Sequence, residues 1–256
     1  ENDVILIDSL HGLYPDMEVE KIAVTFMATV DVIQRAADAG VNFIITHEPT
    51  WFTGRDDTKW LAADPVYLKK KKLLEDHKIA VWRFHDHMHM GTEDGIYRGF
   101  DLATGWGKYR IPDMLESEHF GFCYEIPELT LSELAAFFKK TIGMEIVQIV
   151  GDPAMKVKRV GVLVGGASLG LGTEELPMRL VHEKQLDVVV CGDITEWTLS
   201  AYIRDAAALG LNRAMLVLGH ERSEEPGMKY LDAWLKDITG ELEIVFLDAG
   251  EPFIYL

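Results

Sequence analysis

The sequence predicts an α/β protein built as two similar, intertwined lobes, each a layered sheet with helices on its faces. Three observations carry that expectation. Short apolar runs alternate with helix-period segments over most of the 256 residues, the pattern of sheets whose strands are joined by helical crossovers. Each half repeats a strand–helix–strand order, although no sequence repeat is detectable. The stretch 105–119, GWGKYRIPDMLESEH, concentrates Gly, Pro and charge, and so marks a seam between an N-terminal lobe at 1–112 and a C-terminal lobe at 113–256.

The elements follow in chain order. A strand at 22–28 (IAVTFMA) leads into a helix at 29–39, which Gly40 stops. The next strand, 41–46, ends at His47, Glu48 and Pro49, because proline cannot donate to a sheet ladder and biases the residue before it towards extended geometry. Helix 65–77 precedes strand 79–84 (IAVWRF), and helix 94–103 ends before Gly105. In the second half, strand 120–126 is followed by helix 130–141, where Thr130 and Glu133 have capping-box spacing and Gly143 lies past the end. Strands 144–150 and 159–164 (RVGVLV) then flank a turn, and helix 174–184 leads to strand 186–191 (LDVVVC). Thr195 is placed to cap a helix at 196–209, which Gly210 stops, and strand 213–218 (RAMLVL) follows. Gly219 permits a sharp turn, Ser223 is positioned to cap, and Pro226 suits the first turn of a helix at 226–238; strand 243–248 closes the chain.

Composition narrows the partners. With 42 acidic against 25 basic residues the net charge is −17, which repels phosphate backbones at long range and argues against nucleic acid as the main partner. A small phosphorylated substrate held through a cation is compatible with it. The basic run Lys69–Lys72 reads as a solvated helix face. No apolar stretch has the length needed to span a bilayer, so no membrane partner is expected, and the N-terminus shows no secretory signal pattern. Cys123 and Cys191 form no ligand pair or disulfide framework, which makes a reducing, cytoplasmic setting the expectation.

Histidine placement is the most informative feature. Five histidines fall just after apolar strands, in FIITHEP (His47), VWRFHDHMH (His85, His87, His89) and MLVLGHERSE (His220). Any one alone reads as a capping or surface residue. Three strand ends with the same chemistry read as a site, because open α/β sheets gather ligands outside the carboxyl ends of their strands. An extended backbone puts His85, His87 and His89 on one face; if the strand ends earlier, His89 turns toward a neighbouring strand end. His220 and Glu224 lie four apart and point the same way from a tight turn. Mixed imidazole and carboxylate ligation suits Zn²⁺, Mn²⁺ or Fe²⁺, and bridging carboxylates make two metals plausible.

These segments, together with VGVLVGGAS and CGDITEWT, resemble the Nif-three-like proteins, the GTP cyclohydrolase I type 2 homologues, over most of the chain. That family's pattern has a Thr-His-His-Pro segment, a later His-x-x-x-Asp and a Gly-His-x-x-Ser/Thr-Glu segment, which together hold a pair of divalent metals between two lobes. The resemblance implies His47, His85, His220 and Glu224 as ligands. Two positions depart from it: the second adjacent histidine is Glu48 here, and the aspartate is His89. A compensating exchange makes both of them ligands as well. The resemblance further implies a homo-oligomer, a hexamer built as a trimer of dimers.

Weaker signals complete the reading. VGGASLGLG is read as a tight strand-to-helix turn rather than an anion cradle. Asp193 and Glu196 follow another strand and could orient a ligand or accept a proton. Cys191 reads as core; His11, His77, His119 and His182 as surface; Trp51 and Trp197 as cleft walls. Two functions are therefore expected to compete. One is a metal-dependent, hydrolase-like enzyme acting on a small substrate, a nucleotide or phosphorylated compound among the options, with Glu196 or Asp193 as proton acceptor. The other is a non-catalytic, metal-stabilised regulatory or assembly protein.

Overall fold

The computed structural model describes residues 9–12, 17–111 and 121–256. His119 and the expected lobe boundary at 112/113 lie outside the described residues. The chain divides into two compact units. One comprises the residues up to Gly99 together with Gly227–Leu256, and the other is Phe100–Pro226. This differs from a continuous 1–112 and 113–256 division, because the C-terminal strand returns to the first sheet.

In the first unit, five strands run in the order β1-β4-β3-β2-β10. They are β1 (Ser9–His11), β2 (Lys21–Thr25), β3 (Phe43–Thr46), β4 (Ala80–Arg83) and β10 (Glu243–Phe246). All neighbours are parallel except β1, which runs antiparallel on β4. The register pairs Thr46 with Arg83, so β3 and β4 end level with each other. Helix α1 (Val30–Asp38) starts where the Thr29 hydroxyl accepts from the Val32 N–H at 3.1 Å. Helix α2 (Pro65–His77) starts where Asp64 accepts from Val66 and Tyr67, with Pro65 in its first turn. Ile33, Ala36 and Leu74 from these helices pack on Ala23, Ile44 and Val81 of the strands, closing one apolar core.

Several expectations change here. Lys70 is not solvated but 4% exposed. Its ammonium donates to the Thr50 carbonyl at 2.7 Å and lies over the Trp51 and Phe52 rings. Trp51 is a core residue rather than a cleft wall, and His11 is tied to the buried Asp56 at 3.2 Å. HDHMH is not extended. Its residues form a one-turn helix, α3 (Asp86–His89), ahead of α4 (Gly95–Thr104).

The second unit has the strand order β5-β7-β8-β9-β6. Its central strands β7 (Lys156–Leu163), β8 (Val188–Cys191) and β9 (Ala214–Val217) are parallel. They are flanked by antiparallel β5 (Phe122–Thr130) and β6 (Gln148–Val150). Helix α5 (Leu131–Phe138) carries the Thr130–Glu133 capping box, and α6 (Leu176–Glu183) and α7 (Leu199–Ala208) follow. Leu163, Val189, Met215, Leu180 and Ile203 share a core with the buried Cys191.

Two helix starts move. Thr195 does not cap, because α7 begins at Leu199 and Glu196 lies in the turn before it. The last part of the chain forms α8 (His220–Lys229) and α9 (Leu231–Thr239). Ser223 and Pro226 therefore sit inside α8 rather than at a cap and a first turn. No helix among the described residues is long and apolar enough to cross a membrane.

Candidate metal centre

The first unit brings three imidazoles together. His47 follows β3 directly and is fully buried, and its N–H donates to the Phe26 carbonyl at 3.1 Å. His85 lies two residues past β4. One turn of α3 then carries the chain round, so His85 and His89, four apart, come to one side. The His47 and His85 rings stack with centroids 4.5 Å apart, and His89 meets both edge-on, at 5.1 Å and 4.9 Å. One ligand atom from each of the three lies within 4.8 Å of the others. His87 departs from the set: it is exposed and stacks on Phe84 at 6.2 Å.

The hydrogen bonds fix which nitrogen is offered. His47 Nδ1 is 3.3 Å from the Phe84 carbonyl, His85 Nδ1 is 2.8 Å from Asp86 Oδ1, and His89 Nδ1 is 2.9 Å from Asp94 Oδ2. Carbonyls and carboxylates only accept, so each of these contacts places a proton on Nδ1 and turns Nδ1 toward the protein. That is the arrangement of a metal-binding histidine with an orienting partner behind it. Burial lowers the His85 pKa below the ordinary imidazole value. Neighbouring His47 and His89 lower it further, against the opposing pull of Glu48 and Asp86.

Glu48 stands beside this set. Its Oε1 is 3.7 Å from His85 Nε2, and its Oε2 is 3.5 Å from the guanidinium of Arg83.

In the second unit, His220 opens α8 just after β9, across the left-handed Gly219. Its Nε2 is 3.1 Å from Glu224 Oε2, one helical turn on, and its Nδ1 is 2.8 Å from Asp193 Oδ2. Asp193, which follows β8, therefore orients the imidazole. Glu196 is exposed, and among the described residues no hydrogen bond or ion pair ties it to His220 or Glu224. Trp197 is exposed as well.

The Gly-rich turn after β7 has a packing role. The Gly165 N–H donates to Ser223 Oγ at 2.9 Å, and the Asp193 N–H donates to the Gly165 carbonyl at 2.9 Å. A Cβ on Gly165 would lie 1.9 Å from Glu224 Oε1 and 2.8 Å from His220 Nε2. The backbone approaches these two side chains as closely as it does only because residue 165 has no side chain.

Sequence reasoning did not single out Asp86, Asp94 or Arg83. Signals for the two acids were present: Asp86 adjoins His85, and Asp94 lies five residues past His89. Arg83 gave none, since an arginine at a strand end ordinarily reads as surface.

Comparison with known proteins agrees with the resemblance. A sequence model of the Duf34/NIF3 (NGG1p interacting factor 3) family matches residues 11–252. A GTP cyclohydrolase 1 type 2 homolog of Clostridium perfringens is 24% identical, over 94% of this chain and 88% of the relative. Among solved structures, a hypothetical protein of Staphylococcus aureus superposes with a TM-score of 0.71 at 20% identity, covering 98% of this chain and 92% of the other. A Bacillus cereus protein related to NIF3 gives a TM-score of 0.69 at 16% identity, over 93% and 90%. With the fold shared and the family matched over nearly its whole length, the chain belongs to the Duf34/NIF3 family.

Proposed function

We propose that the chain binds divalent metal ions through His47, Glu48, His85 and His89 of the first unit and His220 and Glu224 of the second, and that the bound metal serves hydrolysis of a small substrate. The observation that carries this reading is the common tautomer. All four histidines have Nδ1 on a protein acceptor, the contact that orients a metal-binding imidazole. The donors are nitrogen and oxygen only, a set that suits Zn²⁺, Mn²⁺ or Fe²⁺.

When bound, such ions supply an activated water and Lewis acidity. The chain's own residues do the positioning. Asp86, Asp94 and Asp193 hold three imidazoles in orientation, and the Phe84 carbonyl holds the fourth. Asp193 takes a positioning role here, with its Oδ2 on His220 Nδ1. The name of the Clostridium perfringens relative makes a nucleotide the first substrate to try.

The test is elemental analysis of the purified full chain beside His85→Ala and His220→Ala, followed by nucleotide and phosphoester hydrolysis with and without chelator. Loss of metal in either variant supports the assigned ligands, and parental metal content in both removes those residues from the set. A parent protein that neither carries nor takes up metal sinks the reading, and metal uptake without chelator-sensitive turnover removes its catalytic half.

A further inference from the structure

The second unit has a cavity at the end of its parallel strands opposite to the Gly165 turn, Asp193 and His220. Its walls are Asp152, Met155 and Lys156 at the start of β7, Asp187 just before β8, and Leu211 and Arg213 just before β9. The cavity volume is about 470 Å³, inside the roughly 300–1,000 Å³ of small-molecule sites. Two cations, Lys156 and Arg213, face it together with two carboxylates, Asp152 and Asp187. Opposite charges in one cavity ordinarily pair, yet among the described residues no ion pair joins these four.

Each acid is turned to the backbone instead. The Lys158 and Arg159 N–H groups donate to Asp187 Oδ2 at 2.9 Å and 2.8 Å, and the Ala154 N–H donates to Asp152 Oδ1 at 2.9 Å. The Arg213 guanidinium meets neutral partners, Gln185 Oε1 at 3.3 Å and the Asn212 carbonyl at 3.4 Å. The charge of Lys156 reaches Glu133, whose carboxylate is turned to the Thr130 N–H at 2.7 Å. The frame is fixed by strand starts: the Asp187 N–H donates to the Arg159 carbonyl and the Ala214 N–H to the Asp187 carbonyl, both at 2.9 Å. Between Leu211 and Arg213, Asn212 holds a left-handed φ of +49°, a conformation retained where surrounding structure imposes it.

We propose that this cavity binds a zwitterion of the free α-amino-acid type with an apolar side chain. Arg213 and Lys156 receive its carboxylate, Asp187 and Asp152 its ammonium, and Met155 and Leu211 its side chain. A planar guanidinium matches a carboxylate at two points, and charge-assisted hydrogen bonds are the strong ones. A simple anion would gain from one pair of charges and be repelled by the other, and the net charge of −17 disfavours it at long range. A zwitterion satisfies both pairs and brings no net charge. The site is independent of the metal-binding reading.

The experiment titrates L-leucine into the full chain by calorimetry after chelator treatment, because an amino acid also chelates metal ions. N-acetyl-L-leucine, which lacks the cation, and L-leucinamide, which lacks the anion, are the comparison probes. L-Leucine binds, and each blocked form binds at least about tenfold more weakly. In Arg213→Gln the affinity for L-leucine falls by about tenfold or more, while that for L-leucinamide stays within about twofold, since the amide has no carboxylate for Arg213 to meet. Lys156→Gln is expected to show the same pattern and decides the matter if Arg213→Gln does not fold. Absence of binding by L-leucine, L-methionine and L-valine at millimolar concentration overturns the proposal. So does equal binding of the blocked forms, tighter binding of inorganic phosphate, or parental L-leucine affinity in a folded Arg213→Gln.

Discussion

Gly165→Ala is the sharpest perturbation the structure offers. Gly165 sits at φ +49°, where a side chain costs roughly 1–2 kcal/mol in backbone strain. The larger effect is steric. The new methyl would stand 1.9 Å from Glu224 Oε1, against the roughly 3.5–4.0 Å of an ordinary contact. The carboxylate must then retreat by about 1.5 Å or more, since the backbone it meets is itself packed on Gly192. Metal sites tolerate about 0.2 Å in ligand position. A displacement several times larger removes Glu224 as a ligand, and His220 Nε2, 2.8 Å from the same methyl, is pushed as well. The expected loss in Zn²⁺ affinity is at least about 100-fold, on the order of 2.7 kcal/mol. Titration calorimetry with Zn²⁺ measures it, with circular dichroism confirming the fold. Gly166→Ala is the internal control, because a Cβ there meets nothing within 4 Å. A folded Gly165→Ala that binds Zn²⁺ within twofold of the parent would refute the argument that this glycine exists to admit Glu224.

Three further outcomes follow from named contacts. Asp193→Asn replaces the acceptor on His220 Nδ1 with an amide and should lower metal affinity by about 10–100-fold, while Glu196→Gln leaves it unchanged; competition with a chelating dye separates the two. Lys70 has its pKa lowered by burial, against the pull of Asp56, from 10.5 to about 8. Below pH 8 the ammonium is charged in both states and its burial penalty is fully present. As pH rises from about 8 to 10.5 the unfolded chain holds more protons, so stability should rise by up to about 3 kcal/mol. Denaturant titrations of the parent against Lys70→Met across that window should show this slope in the parent alone; parallel curves would contradict it. Finally, if Glu48 and His89 have exchanged roles, Glu48→His should weaken metal binding and adding His89→Asp should restore part of it. The coupling in that double-mutant cycle is expected at about 0.5–3 kcal/mol, and simple additivity would mean the two positions act separately.

Much of this site was legible because its signals are local. Pro49 and Gly219 end strands where they must, and the i, i+4 spacing of His220 and Glu224 works once α8 starts at His220. The Thr130–Glu133 box begins a helix by satisfying amide donors within a few residues. What escaped depends on distant partners. β10 belongs to the first sheet because Glu243–Phe246 pair with Lys21–Val24 across most of the chain, and no local pattern states that. Lys70 looked solvated because its neighbours in sequence are lysines, whereas its burial is set by the loop at Thr50–Phe52. HDHMH misled through its alternation: period two suggests a strand, yet a single helical turn brings the first and last histidines together.

The four orienting contacts are also structural contacts of the fold, which is why the donors can be held without a dedicated scaffold. His47 is held by the Phe84 carbonyl, a contact that exists because β3 and β4 end in register. Asp94 holds His89 with one oxygen, and with the other it accepts from Ile96 and Tyr97 to start α4. Asp86 holds His85 from the first turn of α3, where an acid also suits the positive end of a helix. Asp193 holds His220 while its own N–H is fixed by the Gly165 carbonyl. The residues that set each tautomer are therefore fixed by strand register, helix starts and a glycine turn. Disturbing any of those elements should reach the candidate metal centre through the imidazole it holds, even where no ligand is touched.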